Sequence, residues 1–90
     1  MHSDQPPQVQ SLRIRNTYPQ PVTLHIEPWG DEVSMLPDAV YTIVIEGPGD
    51  DCLELDFRDR HVFAYGWPGS TVSVRHKEKI VCEYKIPAPR

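Results

Sequence analysis

Apolar residues recur at every second position along most of the chain. Leu12 and Ile14 alternate with Ser11, Arg13 and Arg15, and Val22, Leu24 and Ile26 alternate with Thr23, His25 and Glu27. Alternation of this kind puts one apolar row on one face of a strand. The segment NTYPQP between the two runs is rich in turn residues, so they read as a hairpin-like pair. Val33 and Met35 mark a short strand, Leu36-Pro37-Asp38-Ala39 a turn, and Tyr41, Ile43 and Ile45 the inner face of a longer strand. Val44 lies on the opposite parity, which predicts that this strand is covered on both sides near its middle.

EGPGDD then breaks the pattern. Leu53, Leu55 and Phe57 alternate with Cys52, Glu54, Asp56 and Arg58, and a tight turn near Asp59-Arg60 returns the chain through HVFAY. Val72 and Val74 face inward in the next strand, HKEK turns, and Ile80, Cys82, Tyr84 and Ile86 complete the last one. About eight short strands result, and no window carries a capped apolar stripe at helical spacing. A single flat sheet of that many strands would leave an apolar face in water. The expected fold is therefore an all-β, antiparallel two-sheet β-sandwich of immunoglobulin-like or cupredoxin-like shape, with a small barrel as the alternative. The crossing from Val33 to Glu46 carries that likeness of shape.

Ninety residues suffice for one core and not for two. Residues 1–10 read as a disordered lead-in, 11–86 as a single β domain and 87–90 as a tail. The polar start MHSDQPPQVQ lacks the apolar stretch of a signal peptide. The longest apolar run, AVYTIVIEG, contains Thr42, ends near a carboxylate and is too short to span a bilayer. A cytoplasmic protein with no membrane partner is expected. The net charge of -4 argues against nucleic acid, whose phosphates call for a basic stripe. Val44 and Val81 sit on the polar parity of their strands, but Val81 alternates with Glu83 and Lys85, so a monomer or weak dimer is expected.

Both tryptophans stand in Pro/Gly corners, EPWGD and YGWPGS, that run straight into alternating strands. Pro28 and Pro68 restrict the backbone beside Trp29 and Trp67, and Gly30, Gly66 and Gly69 permit a sharp bend. A rigid corner holds an indole at small entropic cost, which suits two jobs. The ring can fold back over an open end of the sandwich and send its N–H to water or a carbonyl. Alternatively, Trp29 and Trp67, with Tyr18 and Tyr65, form a contact platform for a protein or a proline-rich peptide. For each ring alone, a small domain's need for apolar area favours the plug. As a pair in a chain without catalytic constellations, the corners are the best candidate binding surface.

The combination of EPWG, a Pro-Asp turn, a long strand and GWPGS resembles small bacterial β domains of unknown function that share EPWG-type and GWxGS-type corners. The likeness covers about Val22 to Tyr84 and implies a bacterial β domain with no catalytic residues to carry across. This chain departs from that pattern at Asp38, where the family has glycine after the proline of the turn.

Other chemistry is sparse. His2, His25, His61, His76, Cys52 and Cys82 form no CxxC, HxH or HxxxH spacing, and no His or Met follows Cys82 as a blue-copper site requires. The histidines read as polar-face or turn residues. Asp50, Asp51, Glu54, Asp56 and Asp59 form the densest acidic group, and Glu54 and Asp56 lie about 7 Å apart on one strand face. Calcium is the alternative function there, but the DxDxDG loop is missing and Arg58 offsets the charge, so solvated acids guarding an edge are the simpler account. Cys52 and Cys82 fall on opposite parities and make a poor disulfide pair. Ser34, Ser70 and Ser73 lie in no GxSxG elbow, and no Gly-rich phosphate cradle precedes a helix. No enzyme activity and no cofactor are expected.

Overall fold

Eight strands carry the alternating runs: β1 (Gln8–Arg15), β2 (Val22–Glu27), β3 (Asp31–Met35), β4 (Val40–Gly47), β5 (Glu54–Arg58), β6 (His61–Tyr65), β7 (Thr71–His76) and β8 (Lys79–Lys85). The structure, a computed structural model, describes residues 8–28, 30–49 and 51–87. The strands form two four-stranded sheets with the orders β1-β4-β7-β8 and β3-β2-β6-β5. Neither sheet closes on itself, so the architecture is the expected sandwich and not the barrel. Pairing is antiparallel except between β2 and β6, which run parallel. β1 starts at Gln8, so residues 8–10 of the expected lead-in pair with 45–47 of β4. Residues 1–7 and 88–90 lie outside the described residues.

The expected pairing of β1 with β2 is corrected. β1 pairs along its whole length with β4, whereas β2 pairs with β3 and β6 in the other sheet. A hairpin favours a short turn of fixed type, and the six residues from Asn16 to Pro21, with two prolines, build a crossing between sheets instead. Asn16 organises it. Its side-chain amide donates to the carbonyls of Gln20 (2.9 Å) and Met35 (3.0 Å), and its Oδ1 accepts from the Tyr18 N–H at 2.9 Å. Its backbone bonds Asp38 and Ala39, so the β1–β2 and β3–β4 crossings are tied at one end of the sandwich.

Between the sheets lie Val22, Leu24, Ile26, Val33, Met35, Val62 and Ala64 on one side and Tyr41, Ile43, Ile45, Val72 and Val74 on the other. Burying each larger aliphatic side chain contributes about 1.5–3 kcal/mol. Val44 and Ser73 face each other across β4 and β7 on the outer side. Val44 is half-buried and Ser73 buried. The sheet edges align in two seams. Tyr84 of β8 bonds Asp31 of β3. Gln10 of β1 donates to the Asp51 carbonyl (3.0 Å) and accepts from the Leu53 N–H (3.0 Å), just ahead of β5.

The turns show where local chemistry fits and where it strains. Asp38, in the turn ahead of β4, takes φ 65°. Lys77 and Glu78, between β7 and β8, take φ 52° and 66°. Two positive φ values in a two-residue hairpin loop call for Asn-Gly, and an ordinary side chain there costs about 1–2 kcal/mol. Glu78→Gly is therefore expected to raise stability by about 1 kcal/mol, read as an increased urea midpoint with an unchanged slope.

Candidate functional site

The Trp67 corner is a turn folded inward. Pro68 and Gly69, the latter at φ 85°, occupy its centre, and the Ser70 N–H returns to the Trp67 carbonyl at 2.9 Å, as in a type II turn. The Ser70 hydroxyl donates to the same carbonyl (2.6 Å) and accepts from the Trp67 N–H (3.1 Å). The indole is 4 % exposed, and its Nε1–H donates to the Pro48 carbonyl at 2.8 Å. Gly47 makes room for it: a Cβ there would stand 2.7 Å from the Ser70 Cα and 2.9 Å from the Trp67 Nε1.

The expectation that the Trp67 ring is presented to a partner is therefore corrected. Trp67 seals one end of the core, as the structural alternative anticipated, and offers no ring to a partner. Pro28 and Pro68 are exposed near that end. Tyr65 points from the outer face of β6, while Tyr18 lies at the opposite end beside Asn16. Trp29 lies outside the described residues. Among the described positions, Tyr18 stands apart from Pro28, Tyr65 and Pro68.

The end away from Trp67 is open. A cavity of about 220 Å³ is lined there chiefly by Ile14, Tyr18, Val22, Met35, Phe57 and Val62, with Asp59 at its rim. Tyr18 is 47 % exposed and Phe57 64 %. Phe57 has the inward parity of its strand, yet β5 is an edge strand and no described strand lies beyond it. Leu12 is exposed along the same β1–β5 seam. The alternation marked Phe57 as apolar and inward; only the sheet order shows that it stands at an opening.

On the outer face of the other end-to-end row, β2 and β6 bring His25, His61 and Phe63 together. His25 stacks on Phe63 with ring centroids 4.3 Å apart and 10° between planes, and Arg58 lies 5.8 Å over the Phe63 ring. His25 Nε2 and His61 Nδ1 are 2.9 Å apart. His76 is elsewhere, stacked on Tyr41 with its Nδ1 3.1 Å from the Val40 carbonyl. Sequence spacing could not reveal the His25–His61 pair, because 36 residues and a parallel pairing separate its members.

The acidic segment does not converge. Asp51 precedes β5 and caps the Cys52 N–H, Asp59 follows β5, and Asp56 pairs with Arg58 at 3.3 Å. Among the described residues no three of His, Cys, Asp or Glu come together to hold a metal ion. The calcium alternative is thus not assembled by Asp51, Glu54, Asp56 and Asp59; Asp50 lies outside the described residues. Cys52 lies in the loop before β5 and is not the first residue of the strand, and it and Cys82 are free thiols. Burial pushes the Cys82 thiol up, with the nearby Asp31 carboxylate adding to the shift, so it stays protonated at neutral pH and is a poor nucleophile. Among the described residues no helix is long and apolar enough to cross a membrane.

No family model matches the chain, and no curated protein or solved structure is significantly similar to it.

Proposed function

We propose that the chain is a non-enzymatic interaction module that takes a proline-rich segment of a partner protein into the open end of the sandwich. The observation that carries this reading is the cavity of about 220 Å³ rimmed by the exposed rings of Tyr18 and Phe57. Grooves walled by aromatic rings suit the polyproline II helix, which is extended before binding and loses little entropy on docking. Asn16 and the Asx turn it makes with Tyr18 fix the backbone that carries the Tyr18 side of the rim. The module acts as a monomer or weak dimer. Two free thiols fit a reducing, cytoplasmic setting, and the EPWG and GWPGS corners fit a bacterial origin.

A proline-rich peptide titrated into labelled protein is expected to shift the ring signals of Tyr18 and Phe57 and to leave Trp67 Nε1–H in place. Phe57→Ala, at an exposed position, is expected to keep the fold and weaken binding about thirtyfold, the equivalent of about 2 kcal/mol. Ring signals unmoved by millimolar peptide would sink the reading.

A further inference from the structure

We propose that the outer face of the β1-β4-β7-β8 sheet binds the phosphomonoester of a phosphorylated serine or threonine in a partner protein. The strand register builds the site. Arg13 of β1 and Arg75 of β7 both stand opposite Thr42 of β4, and Arg15 stands opposite Val40 one outward pair further along. Two strand spacings of about 4.8 Å put the Arg13 and Arg75 backbones about 10 Å apart, so both guanidinium groups can close on one anion over Thr42. A groove of about 340 Å³ lies at this end of the face, lined by Ser11, Thr42, Val44, Arg75, Lys77 and Glu78. A second of about 270 Å³, lined by Arg13 and Arg15, meets it at Val40.

Charge and donors decide the ligand. Four of the chain's nine Lys and Arg residues gather here although the net charge is -4, so the local charge opposes the global one and calls for an anion. Asp38 engages Arg15 at 3.9 Å, and among the described residues no carboxylate pairs with Arg13, Arg75 or Lys77. Guanidinium groups, an ammonium and the Ser11 and Thr42 hydroxyls match a phosphomonoester, with its charge of about -2 and three acceptor oxygens, better than a singly charged carboxylate. Val40 and Val44 offer apolar contact to the segment that carries the phosphate. Nucleic acid fits less well, because among the described residues this face presents no aromatic ring to a base. Tyr41 is buried on the inner side with His76 stacked on it, and Tyr84 bonds Asp31 of the other sheet. The site lies on the opposite sheet from Phe57 and does not depend on the proline-rich reading.

The test is titration of the labelled full chain with a phosphoserine peptide flanked by valine and alanine, with its unphosphorylated form and with inorganic phosphate, read by amide shifts and calorimetry. Expected are shifts centred on residues 11–15, 40–44 and 73–78. The phosphopeptide should bind about tenfold more tightly than either the unphosphorylated peptide or inorganic phosphate. Arg13→Gln and Arg75→Gln, both at exposed positions, should keep the urea midpoint and each weaken the phosphopeptide about tenfold. Glu78→Gln removes the carboxylate that lines the groove and should tighten binding about threefold. Arg60→Gln, at the β5–β6 turn of the other sheet, should change nothing. Equal binding of the two peptides, undiminished affinity in Arg75→Gln, or binding of inorganic phosphate or single-stranded RNA as tight as that of the phosphopeptide would overturn the proposal.

Discussion

Trp67→Ala is expected to remove about 3–5 kcal/mol of folding free energy, the range for truncating a large buried aromatic side chain. Against a total of about 5–15 kcal/mol for a domain of this kind, that is a large share of the folding free energy. The loss has two sources. The buried indole fills the end of the core against the bare backbone of Gly47. Its Nε1–H also satisfies the Pro48 carbonyl, which truncation strands. Trp67→Phe separates the two, since it keeps most of the apolar area and removes only the donor; a loss of about 1–3 kcal/mol is expected. Urea unfolding at 25 °C gives both values. A loss below about 1 kcal/mol for the alanine variant would mean that the indole does not pack as the end seal.

Asn16→Ala carries the second large effect, about 3 kcal/mol by the same measurement. Asn16 is 2 % exposed and satisfies one carbonyl and one N–H of its own crossing and a carbonyl at the end of β3. Each bond contributes about 1 kcal/mol net, and each group left buried without a partner costs about 1–3 kcal/mol more. Asn16→Asp is the sharper probe. It keeps an acceptor for the Tyr18 N–H but turns the donating amide into a carboxylate facing the Gln20 and Met35 carbonyls. Burial and those oxygens raise the introduced group's folded pKa above its unfolded value. The deficit is therefore greatest above the folded pKa and shrinks as pH falls through it, when the acid form donates one bond again. A deficit that does not depend on pH between about 4 and 8 would show that the side chain at this position does not meet those carbonyls.

Asn16 also shows why much of the fold could be read from the chain and much of the site could not. Its place between an alternating run and two prolines marked it as a turn residue, as did Pro68-Gly69 and Lys77-Glu78 for their turns. Nothing local marked it as the tie between two crossings, since its partners lie up to 23 residues away in sequence. The same holds for the candidate site. Tyr18 entered the reading as a companion of the tryptophans and remains exposed, but its neighbour across the opening is Phe57. The paired corners look alike in sequence because each sets a tryptophan beside proline and glycine. Whether an indole in such a corner turns in or out depends on what stands behind it, here the bare backbone of Gly47 and the Pro48 carbonyl.

The sequence by itself determined the eight strands, the inward rows of Leu24, Ile26, Ile43, Ile45, Val72 and Val74, and, apart from the crossing after β1, the turns between them. Those features follow from period-two alternation and from the backbone limits of proline and glycine, which act over a few residues. Only the tertiary structure decided that β1 and β2 belong to different sheets, that β2 and β6 run parallel, and that β5 is an edge. From those pairings came the buried Trp67, the uncovered Phe57 and the facing nitrogens of His25 and His61. Each depends on contacts between residues far apart in the chain, and alternation assigns a side chain to a face without saying what lies opposite.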